Sequence, residues 1–295
     1  MHNSIWNNLL QMPHFPRLDQ NLRTDVLVIG GGMAGVLCAH RLSQSGVDYV
    51  LIEADRICHG VTRNTTAKIT PQHGLLYGKL IREYQGFAKT VDCDFEPKDK
   101  YIYAVGSTKE LDEEMSALEQ LGIPAQFVQK LPLPLNTAGA IRFRDQAQFN
   151  PLKLVSEIAN GLNIYEKTAA KAFKGDTVLT DRGKITASKI IVATGFNKWG
   201  MTTSMVASMI LSDLVHGREN LDAEVFSPSR TICRPQLFIN GFEAAVNLVM
   251  PTKPRCPYMG CALKWNPQEH SWDCPCHGSR FAKMGACWTI LQPGT

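Results

Sequence analysis

An apolar run from Thr24 to Ile29, rich in β-branched residues, is typical of a strand that is buried on both faces. Three glycines follow, and Met33 to Ser45 then repeats apolar residues at helical spacing until Gly46 provides a stop. A second buried strand is predicted from Val47 to Ile52. This order predicts a βαβ unit whose two strands are parallel and whose crossover is right-handed.

The remaining pattern adds helices and one long strand. Amphipathic spacing predicts a helix over Glu110–Leu121. A further helix is predicted over Leu152–Gly161 and a strand over Lys184–Val192. Another helix is predicted from about Thr203 to His216, with the hydroxyl residues at 202–204 as candidate caps. These elements predict an α/β, Rossmann-like fold.

Composition and charge narrow the function classes. Hydrophobic residues make up 44% and charged residues 20% of 295, which allows a sizeable core. The net charge is +4 and the basic residues are scattered, so we expect neither a nucleic acid nor a membrane surface as partner. No apolar stretch is long enough to span a membrane, and no secretory signal is visible at the N-terminus. We therefore expect a cytoplasmic protein.

The glycine turn fits the pattern G-x-G-x-x-G with Gly30, Gly32 and Gly35. In this pattern the glycines permit a tight turn, a close approach of a pyrophosphate to the backbone, and tight packing of helix on strand. Glu53, at the end of the second strand, is placed to accept hydrogen bonds from a ribose. The context predicts a dinucleotide site but does not distinguish FAD from NAD, and a purely structural βαβ turn is the alternative.

Three further segments carry a family resemblance: 60–70 (GVTRNTTAKIT), the strand that ends in Ala-Thr-Gly at 195, and 195–202 (GFNKWGMT). Together with the glycine turn they resemble the FAD-dependent D-amino-acid oxidase and glycine oxidase superfamily, and within it a bacterial branch fused to a Rieske domain. The resemblance implies FAD as cofactor and a small amine or amino acid as substrate. The residues that it implies at the cofactor are Gly30, Gly32, Ala34, Gly35, Glu53, Thr62, Thr65, Thr66, Ala67, Lys68, Ala170, Gly195, Trp199, Gly200, Met201 and Thr202.

The cysteines are crowded at the C-terminus, where five of the nine lie within the last 40 residues. Crowding of this kind in a protein without an export signal favours metal chemistry over disulfides. The segments 256–261 and 274–279 resemble the two boxes of a Rieske [2Fe–2S] centre. The resemblance implies Cys256, Cys274 and His277 as metal ligands, Cys261 and Cys276 as a bridging pair, and Ser279 as a hydrogen-bond donor to a cluster sulfide.

One residue departs from the Rieske pattern. Tyr258 stands where the second ligand histidine belongs, and a phenol is a poor replacement for a neutral imidazole. Three outcomes follow from this difference: no cluster, a labile cluster with three protein ligands, or another metal such as Zn²⁺ on the remaining ligands.

The segments define three expected regions: an internally shortened FAD-binding domain (1–218), a connecting segment (219–250) and a Rieske-like module (251–295). The shortening follows Val192, where the resembled family has its substrate-binding sheet, so no catalytic side chain is nominated. The leading hypothesis is an FAD-dependent oxidoreductase that acts on a C–N bond and passes electrons through a Rieske centre to an unknown acceptor. The alternatives are a catalytically impaired FAD-binding remnant and a structural zinc-binding protein.

Overall fold

The computed structural model of the protein describes residues 11–65, 67–69, 77–120, 122–193, 200–227, 255, 262–266, 271–273, 280–282 and 287–288. The α-helices are α1 (Met33–Gln44), α2 (Tyr77–Ala88), α3 (Lys109–Gln120), α4 (Pro151–Ala159), α5 (Gly200–Val215) and α6 (Ala223–Phe226), and a 3-10 helix spans Val61–Asn64. The strands are β1 (Leu22–Ile29), β2 (Tyr49–Ile52), β3 (Lys68–Ile69), β4 (Glu96–Ala104), β5 (Gln126–Val128), β6 (Gly139–Gln148), β7 (Ile164–Tyr165), β8 (Ala172–Lys174), β9 (Thr177–Leu179), β10 (Lys184–Val192), β11 (Lys264–Asn266), β12 (Ser271–Asp273), β13 (Arg280–Ala282) and β14 (Cys287–Trp288).

The main sheet has six strands in the order β7-β2-β1-β10-β9-β8. Strands β7, β2, β1 and β10 are parallel, whereas β9 and β8 continue the sheet in antiparallel pairing. The predicted βαβ unit and the α/β fold class are therefore confirmed. The parallel strands end at one edge of the sheet, and ligands of open α/β sheets bind at the carboxyl ends of such strands.

Helix α1 begins directly after the glycine turn and lies almost entirely in the core. Eight of its residues are buried: Met33, Ala34, Gly35, Val36, Leu37, Cys38, Ala39 and Leu42. Burial of a large apolar side chain contributes roughly 1.5–3 kcal/mol. Gly46 ends this part of the chain with a φ of +70°, and its N–H donates to the Ser43 carbonyl at 3.0 Å.

Both faces of the main sheet are covered. On one face a large apolar cluster combines α1, α2, α4 and α5, with Leu37, Leu51 and Met205 fully buried. On the other face Leu18, Leu27 and residues of β9 and β10 form a smaller cluster. Burial on both faces explains why the central strands appear in the sequence as continuous apolar runs.

A second sheet lies beside the first. Its order is β3-β6-β4, with β5 also paired to β6, and α3 covers one face through Leu111 and Leu118. This sheet is smaller than the main one and carries many half-buried residues along β4. Helix α4 follows directly, and its N-cap residue Asn150 accepts hydrogen bonds from the N–H groups of Leu152 and Lys153 at 3.1 and 3.2 Å.

The C-terminal part of the chain contributes a separate antiparallel sheet in the order β11-β12-β13-β14. Trp265 and Trp272 lie opposite each other on β11 and β12, with ring centroids 5.2 Å apart in an edge-on arrangement. None of the described helices combines the length and the apolar character that a bilayer span requires.

Candidate functional site

The glycine turn requires glycine at both of its ends for reasons that the structure makes explicit. Gly30 has a φ of +110°, and a Cβ there would lie 2.9 Å from the Ala193 carbonyl oxygen. A Cβ on Gly35 would lie 1.8 Å from the Gly30 carbonyl oxygen. Helix α1 therefore packs directly on the turn, at a distance that no side chain permits.

Gly32 differs from the other two glycines because the space in front of it is open. A Cβ at this position would meet only the Thr62 hydroxyl, at the ordinary contact distance of 3.5 Å. Gly32 is also the N-cap of α1 and has no side chain with which to cap the helix. The first N–H groups of the helix thus face a space that a larger residue would fill, which is the arrangement that binds phosphate groups.

That space is a cavity of about 260 Å³. Its lining combines the turn, the end of β2 and the loop that follows it: Gly32, Glu53, Asp55, Arg56, Cys58, His59, Gly60 and Thr62. Three residues predicted to contact the cofactor, Gly32, Glu53 and Thr62, therefore lie in one cavity. Its polar wall groups include two carboxylates, one guanidinium and a histidine whose Nδ1 lies 2.5 Å from the Asp55 carboxylate.

The Glu53 carboxylate is held in place by two backbone donors. One oxygen accepts a hydrogen bond from Gly31 N–H at 2.6 Å and the other from Asp55 N–H at 2.9 Å. Each carboxylate oxygen has a further lone pair. The side chain is thus fixed beside the turn while it can still accept hydrogen bonds from the hydroxyl groups of a ribose.

The loop from 57 to 62 closes the cavity and is tied to the turn. The Thr62 hydroxyl accepts a hydrogen bond from Met33 N–H at 3.1 Å, so it caps α1 from outside the helix. Cys58 N–H donates to the Gly31 carbonyl at 2.9 Å, and burial raises the pKa of the Cys58 thiol to about 12. Cys58 is therefore a neutral wall residue at physiological pH rather than a thiolate nucleophile.

Glu166 supports the same loop, and the sequence analysis missed it. Its side chain is 3% exposed and accepts hydrogen bonds from Ile57 N–H at 2.8 Å and from Phe15 N–H at 3.3 Å. No sequence signal marks it, because its partners lie more than 100 residues away along the chain.

Three further predicted residues, Thr65, Ala67 and Lys68, are not in the lining of the cavity. The Thr65 hydroxyl accepts a hydrogen bond from Ala67 N–H at 3.2 Å, Ala67 is fully buried with a φ of +51°, and Lys68 pairs with Gln148 in the second sheet. Thr66 lies outside the described residues. Contacts of these four residues with a cofactor remain a prediction.

Ala170 lies on the Glu53 side of the site. Thr168 N–H donates to the Glu53 carbonyl and Lys167 N–H to the Asp55 carbonyl, both at 2.8 Å, so this segment follows the end of β2. Ala170 is half-buried against the smaller apolar cluster. Its contact with the adenine remains a prediction.

The second predicted contact region is the start of α5. The helix includes Gly200, Met201 and Thr202 in its first turn, so the predicted start near Thr203 was wrong by three residues. The hydroxyl residues that suggested a cap lie inside the helix, where the Thr203 hydroxyl donates back to the Gly200 carbonyl at 3.5 Å. Gly195 and Trp199 lie outside the described residues.

Helices α1 and α5 start at the same edge of the main sheet. Each follows one of the adjacent parallel strands β1 and β10, and the two helices pack against each other. Arg41 Nε donates to Ser208 Oγ at 3.1 Å, and each of these residues is eight positions after the start of its helix. Two helix N-termini, both favourable for negative charge, therefore lie on the cavity side of the sheet.

The predicted metal ligands Cys256, Cys274 and His277 lie outside the described residues, as do Tyr258 and the further Rieske-box residues Cys261, Cys276 and Ser279. Within the part of the chain that the structure describes, no three His, Cys, Asp or Glu side chains are placed to hold a metal ion. Three of the described cysteines, Cys38, Cys58 and Cys93, are buried free thiols.

Comparison with known proteins agrees with this geometry. The family model described as "FAD dependent oxidoreductase" matches residues 25–206, and the chain belongs to that family. The protein described as "Putative Rieske 2Fe-2S iron-sulfur protein YhfW" of Bacillus subtilis is 25% identical, over 96% of this chain and 94% of its own length. That alignment extends over 483 positions, so at least 188 of them (483 less 295) have no residue of this chain.

Two other relatives match shorter parts. Gamma-glutamylputrescine oxidoreductase of Escherichia coli is 27% identical over 61% of this chain and 50% of its own length. The crystal structure of glycine oxidase from Geobacillus kaustophilus superposes with a TM-score of 0.54 at 18% identity, over 59% of this chain and 56% of the oxidase. The chain thus spans about half the length of these two relatives, and the solved structure supports the fold.

Proposed function

We propose that the protein binds FAD at the cavity beside the glycine turn and oxidises the C–N bond of a small amine or amino acid. The observation that carries the proposal is the cavity itself, in which the open face of Gly32, the fixed carboxylate of Glu53 and the start of α1 converge. The substrate class is supported by the resemblance to amine-oxidising enzymes and by the E. coli relative, which is named for an amine substrate.

The residues of the cavity fit the ADP half of FAD. The N-terminus of α1, with no side-chain cap of its own, would hold the diphosphate through backbone N–H groups and the helix dipole. Glu53 would accept the ribose hydroxyls, and Thr62 keeps the helix start in place through its bond to Met33. The ADP half would thus be held mainly by backbone donors and one carboxylate.

The start of α5 fits the flavin half. Its first turn would present N–H groups to the pyrimidine side of the ring, where they favour negative charge. When bound, FAD would supply an electron-accepting ring for hydride transfer from the carbon that bears the amine. We assign no catalytic side chain, because the carboxylates and the histidine of the cavity belong to the wall that we assign to the ADP half.

For the C-terminal module we propose a metal centre held by Cys256, Cys274 and His277. The name of the B. subtilis relative supports an iron–sulfur centre. The donor set of this chain differs from a Rieske set at Tyr258, so a cluster here would lack one imidazole. Two thiolates and one imidazole also suit Zn²⁺, which needs a fourth ligand such as water.

Metal analysis of the purified protein tests the nature of this centre. We expect substoichiometric iron and acid-labile sulfide in the wild type, and an increase in both in Tyr258→His, because that change completes the two-histidine set. Zinc without sulfide in both proteins would contradict the iron–sulfur proposal and support the structural zinc site.

A second candidate function is an FAD-binding remnant without turnover. The 188 or more alignment positions that this chain lacks favour it, since substrate-positioning residues would belong to such a segment. Reconstitution with FAD followed by anaerobic mixing with glycine, D- and L-amino acids and small diamines separates the two. Loss of the flavin absorbance at about 450 nm on addition of one substrate class supports catalysis. Stable absorbance with every substrate supports the remnant, and the absence of bound flavin contradicts both.

A further inference from the structure

Arg56 is a cation in the wall of the cavity, and the sequence predicted no role for it. It lies in the lining three residues after Glu53 and is exposed. Within the part of the chain that the structure describes, no side chain or carbonyl pairs with its guanidinium. A guanidinium keeps its positive charge in proteins and offers five N–H donors in one plane. This wall therefore offers a cation to whatever the cavity holds.

The two carboxylates of the same wall already have partners. Glu53 accepts hydrogen bonds from two backbone N–H groups, at 2.6 and 2.9 Å. The Asp55 carboxylate lies 2.5 Å from His59 Nδ1, and an ionised carboxylate only accepts, so the ring N–H donates. These contacts leave the charge of Arg56 available to a ligand, because neither acid forms an ion pair with it.

The backbone on both sides of Arg56 is fixed by hydrogen bonds to distant segments. On one side the Asp55 carbonyl accepts from Lys167 N–H at 2.8 Å. On the other side Ile57 N–H donates at 2.8 Å to the Glu166 carboxylate, which is 3% exposed. The base of the Arg56 side chain is therefore held at the cavity wall. Only the side chain itself must be ordered when a ligand binds, which keeps the entropic cost of the contact small.

The charge of the wall would be unfavourable to an anion without Arg56. The lining contains two carboxylates and one guanidinium, and like charges repel more strongly where a ligand displaces water. The diphosphate of FAD or ADP is an anion, and the start of α1 offers it backbone N–H groups and the helix dipole. A guanidinium adds a full charge and matches phosphate oxygens in a bidentate arrangement. The chemistry of Arg56 therefore suits the diphosphate.

From these observations we infer that Arg56 binds the diphosphate of the cofactor and gives the cavity its preference for ADP-containing ligands over uncharged adenosine. The inference rests on the proposed function and assigns the specificity of the same cavity to one side chain. Glu53 and Arg56 then have different tasks. Glu53 accepts the ribose hydroxyls, which adenosine and ADP share, whereas Arg56 contacts the phosphate groups, which adenosine lacks.

The test compares the dissociation constants of ADP and adenosine for the full-length wild type and for Arg56→Gln. We expect the constant for ADP to rise about tenfold, the effect of one lost hydrogen bond to a charged group, while that for adenosine stays within about twofold. Added salt should weaken ADP binding more in the wild type than in the variant, because salt screens the charge that the variant lacks. Adenosine binding reports independently that the variant is folded.

Two variants serve as controls. Arg182→Gln removes an exposed cation between β9 and β10, outside the cavity lining, and should leave both constants unchanged. Glu53→Gln should raise both constants together, because both ligands carry the ribose. An unchanged constant for ADP in Arg56→Gln, or equal losses for ADP and adenosine, would overturn the inference alone. A wild type that binds neither ADP nor FAD would overturn the proposed function and the inference with it.

Discussion

Replacement of Gly35 by alanine perturbs the point where helix α1 meets the glycine turn. The added Cβ would lie 1.8 Å from the Gly30 carbonyl oxygen. Carbon–oxygen contacts between unbonded groups are normally about 3.3 Å or longer. Both clashing groups belong to the main chain, so the start of α1 must move away from β1 by roughly 1.5 Å, the shortfall from that ordinary contact distance.

Such a shift destabilises the protein strongly because α1 is buried along most of its length. Overpacking a core costs typically 1–3 kcal/mol, and a clash between backbone atoms belongs at the upper end of that range, about 3 kcal/mol. In a protein of this size each kcal/mol lowers Tm by roughly 2–4 °C, so we expect a decrease of roughly 6–12 °C. The shift also changes the wall of the cavity, and the affinity for FAD should fall at least about tenfold, since a displacement of this size disrupts oriented contacts.

Gly86→Ala is the control for this prediction. Gly86 lies in α2, and a Cβ there would have no atom within 4 Å. Alanine in this helix should stabilise the protein by about 0.5–1 kcal/mol and leave FAD binding unchanged. Thermal unfolding and FAD titration of both variants provide the measurements. A Gly35→Ala protein that unfolds at the wild-type temperature and binds FAD normally would refute the close packing of helix on turn.

Two further predictions concern stability. His40 packs beside Phe87 with ring centroids 5.4 Å apart, and burial, followed by the Arg41 charge, lowers the pKa of His40 below its usual 6.5. The unfolded chain then takes up its proton at higher pH than the folded protein, so the free energy of unfolding should decline as pH falls below about 6.5. Urea denaturation at pH 7.5 and 5.5 should show a smaller decline in His40→Asn, and equal declines would contradict the lowered pKa. Asn150→Ala should lower the free energy of unfolding by about 1–2 kcal/mol, because two N–H groups at the start of α4 lose their acceptor. Asn150→Ser should retain most of this stability, because serine is also a good N-cap residue. Equal stability of the two variants would exclude a capping role.

The local sequence was sufficient to predict the βαβ unit and the long strand that pairs with it. The strand Lys184–Val192 has the predicted bounds, and the βαβ unit was predicted within two residues at each boundary. In the βαβ unit, the apolar runs of β1 and β2 and the glycine that follows α1 define the elements without reference to distant residues. Glu53 was likewise identified because its position follows from the βαβ geometry alone.

The second sheet and the supports of the site depend on contacts between distant segments. Strand β4 is half-buried along most of its length and carries charged residues, so it lacks the alternation that marks a strand. Helix α2 has apolar residues at helical spacing, although no helix was predicted there. Glu166 accepts a hydrogen bond from a backbone N–H 109 residues away, and such a pair follows only from the assembled fold.

The claim that the cavity beside Glu53 holds the ADP half of FAD is tested most directly by a competition titration of the full chain. ADP should displace FAD, flavin mononucleotide should not, and Glu53→Gln should weaken FAD and ADP equally by about 10- to 100-fold, because an amide replaces one charged acceptor. Competition by flavin mononucleotide but not by ADP, or unchanged affinity in Glu53→Gln, would contradict the assignment.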